Sequence, residues 1–351
     1  MENKKKCLVY MGFNNPLTYK RGVENVILFQ SQSLEDNIDK YYIFFGERDE
    51  EFLWENMKCI SIKHNMFRFL KLNRKIKELS KKRKVFIHSH NYLMSFFLMR
   101  KTNIFTVHDG LYYLSEQVGH RLKNIFKLVE KKVYRKSEFV HFISKFTKKN
   151  SLYKGNNFQI IYNTASLEKI NINKIKEEIW GADKIKIFTV RSIEERAGIE
   201  LLLELASRNQ GYEIKIAGKG PLLEKYKKEV KNRNLCNIEL LGYLKDEDIR
   251  KYYMNCDIVT VLAKYGEGFG LPIIEGYLHN KPVFGSNICA IPEIIINKDF
   301  LVENNVVDIE EKINIYLLKA EKYDFKEYYN KKFSYKKITN EYKELYRSHI
   351  K

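Results

Sequence analysis

Short β-branched or aromatic runs alternate with segments of helical hydrophobic spacing along the whole chain. In the first half the runs predict strands at Lys6–Met11, Tyr41–Phe45, Cys59–Ile62, Val85–His88, Ile104–Val107, Phe139–Ile143 and Gln159–Tyr162. In the second half they predict strands at Ile185–Val190, Glu213–Ala217, Ile238–Leu241, Ile258–Leu262, Val283–Gly285 and Phe300–Val302. Helical patterns such as Gly22–Leu34 and Ile199–Arg208 separate them. This alternation predicts an α/β protein with parallel sheets covered on both faces. Two such sets imply two Rossmann-like domains, with ligands beyond the C-terminal strand ends, in the cleft between the domains. The boundary is expected near Asn163–Glu178, where a strand ends in YNTASLEKI, and the tail Phe333–Tyr346 reads as a terminal helix.

At 351 residues, 44% hydrophobic and 14% aromatic, the chain can bury the cores of two domains of ordinary size. Its five prolines and the lack of low-complexity tracts argue against long disordered linkers. The apolar run in MENKKKCLVYMG is too short for a signal peptide and reads as a first strand. The longest other apolar patch, around Tyr92–Met99, falls far below the ~20 residues that span a bilayer. Cys7, Cys59, Cys236, Cys256 and Cys289 are scattered, without C-x-x-C spacing. They are expected to be reduced core thiols of a cytosolic protein, neither disulfides nor metal ligands.

The formal net charge of +19 is unevenly placed. Residues 1–180 hold 34 Lys and Arg against 18 Asp and Glu, and the remainder holds 29 against 26. Much of the excess lies in Arg68–Lys84 and Arg121–Lys136. The first segment also places Met66, Phe69, Leu70, Ile76 and Leu79 at helical spacing; the second places Leu122, Ile125, Phe126, Leu128 and Val133 so. Two readings stay open: a core-facing helix with a solvated basic face, or a basic amphipathic helix lying on an anionic membrane surface.

The candidate chemistry concentrates in YGEGFGLPIIEG, residues 265–276. Gly266, Gly268 and Gly270 let the backbone approach a ligand and take positive φ where needed. Pro272 suits the first helical position, where its missing N–H is no loss. Glu275 is then expected within the first turn, beside backbone N–H groups that can hold an anion. Glu267 and Glu275 add carboxylates able to accept hydrogen bonds from sugar hydroxyls. An isolated pair at this spacing would equally suit an ordinary loop-to-helix turn; here KPVFGSN and IPEII follow it.

With those neighbours the segment resembles the E-x7-E motif of retaining, nucleotide-sugar-dependent glycosyltransferases of family 4, the glycosyl transferases group 1. The resemblance covers nearly the whole chain and is strongest over 186–296. It implies a GT-B fold, two Rossmann-like domains with parallel sheets facing across a cleft. Residues 1–165, joined by a C-terminal helix over 333–351, would form the acceptor domain, and 166–332 the nucleotide-sugar domain. Arg191, ending a strand, and Arg196 match an arginine and a lysine of the family. The family's lysine precedes a glycine directly, whereas Ala197 separates Arg196 from Gly198. Gly218, Gly220 and Pro221 are similar to a loop lining the nucleotide pocket, although G-x-G-P alone is equally a structural turn. Ala263–Lys264 stands where the family usually has a proline–serine pair.

In the N-terminal half, Gly22, Val23 and Glu24 resemble a glycine–x–Glu segment that admits the donor pyrophosphate at a helix start. Arg21 replaces the first of two glycines often found there. His108, followed by Asp109 and Gly110, stands where the family places a histidine contacting the donor sugar. His88, Ser89, His90 and Asn91 end the preceding strand. No Cys or acidic cluster completes a zinc set with the two histidines, so a cleft-lining role is expected. Ser144, Lys145 and Asn163 are expected to line the cleft as well.

The resemblance implies transfer with retention and no essential metal. Arg191, Arg196 and the backbone amides of Gly268, Phe269, Gly270 and Leu271 would meet the charge on the leaving diphosphate. Glu275 would bind ribose, and Glu267 and His108 the sugar. The donor would be a UDP-sugar or GDP-sugar. The acceptor would be a glycan, lipid-diphosphate-linked to suit the basic N-terminal half, in bacterial surface polysaccharide synthesis. The protein would be cytoplasmic, or peripheral at the inner membrane face. A GT-B sugar-nucleotide epimerase and a catalytically idle partner subunit stay open, though Glu267, Glu275 and both arginines weigh against the idle subunit. The charge also invites nucleic acid, which would leave the two-glutamate loop unexplained, so no nucleic-acid partner is expected.

Overall fold

The computed structural model describes residues 4–18, 22–169, 180–181, 183–319 and 323–350. Arg21 and most of the expected domain boundary lie outside them. The chain divides into two compact units, Met1–Asn163 with Lys336–Lys351, and Thr164–Tyr335.

The first unit is built on eight strands. They are β1 (Lys6–Met11), β2 (Asp39–Gly46), β3 (Glu50–Trp54), β4 (Met57–Lys63), β5 (Lys84–Ser89), β6 (Thr102–Val107), β7 (Ser137–Phe142) and β8 (Phe158–Ile160). Their order is β3-β4-β2-β1-β5-β6-β7-β8. The parallel strands succeed one another outward in both directions from the β1–β5 pair, so the switch point lies there, where the chain leaves Met11 and Ser89. Both faces are covered. On β1, Leu8 and Tyr10 enter a core with helices Val23–Gln32 and Tyr335–His349. Cys7, Val9 and Met11 face the opposite core, beneath helices Arg68–Lys82 and Tyr92–Phe97. That face continues beneath helix Lys123–Lys136.

One strand departs from the parallel pattern. β3 pairs antiparallel with β4 at the sheet edge. Its sequence, EEFLW, hides only Trp54 and part of Phe52, so the run was too short and acidic to read as a strand. Glu55, at φ 52°, helps turn the chain back into β4.

A polar line crosses this first core. His141 Nε2 lies 3.0 Å from the Ile161 carbonyl, and a carbonyl only accepts, so that nitrogen carries the proton. His141 Nδ1 then accepts from Thr106 Oγ1 at 2.9 Å. Thr106 accepts in turn from His88 Nε2 at 2.6 Å, and His88 Nδ1 accepts from Tyr346 Oη at 3.0 Å. Tyr346 lies on the C-terminal helix and accepts from Tyr10 Oη at 3.0 Å. Four strands and a helix more than 200 residues along the chain are thus joined by neutral groups. Burial holds His88 and His90 well below the usual imidazole range, His108 down to about 3 and His141 to about 4.

The second unit is a six-stranded sheet, parallel throughout. Its strands are β9 (Ile185–Val190), β10 (Tyr212–Ala217), β11 (Ile238–Gly242), β12 (Ile258–Val261), β13 (Val283–Ser286) and β14 (Leu301–Val302), in the order β11-β10-β9-β12-β13-β14. The switch point is the β9–β12 pair. Those strands share register only at Ile187–Ile258 and Phe188–Val259. Beyond it the Thr189 hydroxyl takes up the Thr260 carbonyl at 2.6 Å. Arg191 and the 262–270 loop leave the sheet at this switch point.

The buried histidines set a pH dependence. An unfolded histidine protonates near pH 6.5, whereas these four stay neutral to lower pH in the folded chain. As pH falls below about 6.5 the unfolded chain takes up protons that the folded chain refuses, and stability drops by up to about 1.4 kcal/mol per pH unit for each group. Burial raises Glu24, Glu130 and Glu341, which works the opposite way, but three carboxyls do not offset these four imidazoles and His279, which burial lowers too. Thermal melts should therefore fall steadily from about pH 7 to pH 5. Replacing His141 by Leu should flatten that slope; an unchanged slope would mean that His141 titrates alike in the folded and unfolded chain.

Candidate functional site

The site in the second unit begins with a backbone contact. The chain leaving β9 is pinned by Arg191 N–H to Ala217 O at 2.9 Å and Ile193 N–H to Lys219 O at 2.8 Å. Leu222 N–H returns to Ile193 O at 3.1 Å. A Cβ on Gly218 would stand 1.7 Å from Arg191 O, and one on Gly220 would stand 2.2 Å from Ile193 O. The G-x-G-P loop is therefore glycine-rich because it lies against the 191–193 backbone.

That contact aims Arg191. Its Nη1 donates to Glu267 Oε2 at 2.6 Å, with side-chain exposures of 8% and 18%. Its Nε is buried without a partner. Arg196 donates from Nη1 to Gly266 O and from Nε to Glu194 at 3.2 Å. The carbonyl of Arg196 receives Lys264 N–H at 2.8 Å. Both arginines thus grip the start of the glycine loop despite the inserted Ala197. Gly266 and Gly270 take positive φ, 66° and 89°. Gly270 caps helix Leu271–Leu278.

Three details differ from the sequence reading. The helix begins at Leu271, so Pro272 is its second residue and Glu275 its fifth, one place beyond the first turn. Glu275 is only 3% exposed and accepts from Tyr253 Oη at 2.9 Å. Pro272 has no N–H, and Ile273 N–H returns to Gly270 O at 2.9 Å, so neither position serves an anion. Phe269 is 3% exposed, its ring edge-on to Phe333, so only its backbone faces any ligand role.

Tyr253, Ser286 and Asn304 join the site without a sequence signal. Tyr253 stacks on His279, whose Nδ1 donates to Glu275 O at 2.7 Å. Burial lowers His279 to about 4. Ser286 Oγ accepts from Ala263 N–H at 3.0 Å and donates to Asn304 Oδ1 at 2.6 Å. Asn304 Nδ2 donates to Ala263 O at 2.8 Å. This ring holds Ala263, where the family's proline is missing, and Lys264 pairs with Glu200.

In the first unit, Gly22 caps helix Val23–Gln32 at φ 77°. Glu24 is buried and holds Asn14 through its backbone N–H at 3.1 Å and side-chain amide at 3.2 Å, which ties the loop after β1 to the helix start. His108 follows β6 and is partly exposed; His90 follows β5 and is buried. Their Nε2 and Nδ1 atoms stand 2.8 Å apart. His88, expected to line a ligand site, belongs instead to the buried line through Tyr346. Ser144 is a fully buried helix cap, its Oγ accepting from Thr147 N–H at 3.1 Å. Cys236 is exposed and Cys289 half-buried, so only Cys7, Cys59 and Cys256 are core thiols. Among the described residues no group of three His, Cys, Asp or Glu is placed to hold a metal, and no helix is long and apolar enough to cross a membrane.

The architecture is the GT-B fold. Sucrose-phosphate synthase from Thermosynechococcus elongatus superposes with a TM-score of 0.83 at 16% identity, over 98% of each chain. Anabaena HepE, in complex with UDP and glucose, gives 0.79 at 15% identity, over 98% of this chain and 100% of its own. Residues 171–333 match the family model "Glycosyl transferases group 1". An uncharacterized 41.2 kDa protein in the cps region of Klebsiella pneumoniae is 26% identical over 208 residues, 55% of this chain and 56% of its own. An uncharacterized glycosyltransferase of Methanocaldococcus jannaschii is 31% identical over 157 residues, 42% and 44%. The O-antigen chain mannosyltransferase B of Escherichia coli is 37% identical over 71 residues, 20% and 18%. The chain thus spans about half the length of the first two relatives.

The glycine contact can be checked directly. Gly218→Ala drives a Cβ into Arg191 O and should cost about 4 kcal/mol or more, among the larger single-residue effects. Gly242→Ala, at φ 71° with nothing near its Cβ, should cost only the left-handed strain, about 1–2 kcal/mol. Equal losses in denaturant titrations would contradict the packing of the two loops.

Proposed function

We propose that this protein transfers a sugar from a UDP-sugar or GDP-sugar to a hydroxyl of a glycan in bacterial surface polysaccharide synthesis, with retention at the anomeric carbon and without an essential metal. The observation that carries this reading is the Arg191–Glu267 pair, held at the switch point of the second sheet beside Arg196. Its setting in a group 1 sequence supports it, as do the UDP and glucose bound by HepE and the cps-region and O-antigen relatives.

In this reading the second unit holds the donor and the first unit the acceptor. Arg191, Arg196 and the amides of 268–271 meet the charge that develops on the leaving diphosphate. Preset donors do this without reorganising during the reaction. Glu267, already fixed by Arg191, accepts hydrogen bonds from the sugar and faces the oxocarbenium-like carbon. Glu275 takes the ribose hydroxyls, with the Tyr253 hydroxyl holding one carboxylate oxygen. His108 hydrogen-bonds the sugar, and Gly22 admits the pyrophosphate at its helix start.

The acceptor is lipid-diphosphate-linked, met at an anionic inner membrane face. Two exposed stripes in the first unit support this. Helix Arg68–Lys82 buries Leu72, Ile76 and Leu79, while Met66, Phe67 and Leu70 are 83%, 55% and 60% exposed. Helix Lys123–Lys136 buries Val129, Val133 and Tyr134, while Ile125 and Leu128 are 52% and 67% exposed. The second helix has one acid, Glu130, which is fully buried and accepts from Tyr112 N–H at 2.7 Å, Leu152 N–H at 2.9 Å and Tyr134 Oη at 3.0 Å. The exposed face is left basic and apolar, a composition suited to an anionic bilayer surface.

A panel of nucleotide sugars should contain one that raises the melting temperature and is slowly hydrolysed. Glu275→Ala and Arg191→Ala should each lower that turnover by about 10²–10³-fold; unchanged turnover would place the chemistry elsewhere. Changing Ile125 and Leu128 to Asp should abolish sedimentation with vesicles containing anionic phospholipid while leaving donor hydrolysis intact. Sedimentation as strong as that of the unaltered protein would remove the membrane from the proposal.

A further inference from the structure

His90 has no role in the chemistry above, yet its surroundings are unusual for a core histidine. It follows β5 at the switch point of the first sheet, where its N–H donates to Met11 O at 2.9 Å. Its side chain is 1% exposed. One face of the ring stacks on His88, centroids 4.7 Å apart. Nδ1 meets His108 Nε2 at 2.8 Å, and Nε2 is sealed in without a partner. The buried line through His88, Thr106 and His141 does not include it.

An N···N contact of this length between neutral rings holds one proton, so one ring donates and the other accepts. If His108 donated, His90 would carry its proton on Nε2, a buried N–H with nothing to receive it. If His90 donates from Nδ1, its Nε2 is only a bare lone pair. Orphaned buried N–H groups are the rarer of the two in folded proteins, so the second arrangement is favoured. His108 then accepts at Nε2 and carries its own proton on Nδ1. The bond on one ring nitrogen sets what the other presents.

We infer that His90 is the positioning residue for His108, its Nδ1–H fixing the His108 ring and tautomer so that His108 offers an Nδ1–H donor to the transferred sugar. The last clause rests on the reading of His108 as a sugar contact. The positioning itself does not. An imidazole held by its rear nitrogen loses the freedom to flip and presents one donor in one direction. Loss of such alignment costs up to about 10²-fold in rate.

The test uses the full chain labelled with ¹⁵N-histidine, read at neutral pH without substrate. The His108 imidazole should show the Nδ1–H tautomer alone. In His90→Phe, which keeps a ring on His88 but has no nitrogen, it should become a mixture. In His90→Asn, whose amide N–H can replace Nδ1–H, it should return. A His108 carrying its proton on Nε2 in the unaltered protein overturns the inference, whether or not any variant folds. An unchanged tautomer in a folded His90→Phe protein does so too. With the active nucleotide sugar, kcat should fall about 10–100-fold in His90→Phe and recover in His90→Asn. A tautomer that shifts without any change in kcat supports the positioning and overturns the sugar contact of His108.

Discussion

Much of the second unit's site depends on one steric constraint, the approach of the 218–222 loop to the backbone of Arg191–Ile193. Two glycines make it possible, and three backbone hydrogen bonds hold it. Because of it, Arg191 leaves its strand in one direction and finds Glu267, 76 residues along the chain. Glu267 in turn sits on a loop secured by Arg196, by Ala290 N–H on the Glu267 carbonyl at 3.1 Å, and by the ring of Ser286, Asn304 and Ala263. A half-buried ion pair stabilises little on its own once desolvation is counted. Its use here is to hold a charge in place.

The two units solve the same problem by different electrostatics. Each sheet has a switch point, and each brings polar groups to the strand ends beside it. In the second unit Arg191 and Glu267 form an ion pair that is only partly buried. In the first those groups are imidazoles and phenols, buried deeply enough to remain neutral. Neutral groups need strict donor–acceptor bookkeeping, which is why the Ile161 carbonyl can dictate the proton position on rings several bonds away. The C-terminal helix takes part through Tyr342 and Tyr346, so the end of the chain helps order the strand ends of the first sheet.

The basic helices show how a sequence pattern can be right in kind and incomplete in detail. Leu72, Ile76 and Leu79, or Val129 and Val133, are the stripe any covering helix must bury. Helical spacing also admitted Met66, Leu70, Ile125 and Leu128, and these face solvent. Periodicity reports that a residue is apolar at a given angle on the helix. Which of two adjacent angles meets the sheet is settled by how the helix lies on it.

What the sequence determined alone is local in origin. Strands β1 and β9 and helix Ile199–Arg208 fall where apolar runs and helical spacing put them, because period and propensity act over a few residues. The glycine-rich loop and its two glutamates were legible for the same reason. Only the tertiary structure decided the rest. The Tyr253 hydroxyl on Glu275, the Ser286–Asn304 ring, the antiparallel edge strand and the His90–His108 contact join residues whose individual neighbourhoods carry no mark of the partner. Such contacts arise only when strand order places distant segments side by side. A buried polar atom must then bond to whatever the fold has brought within reach.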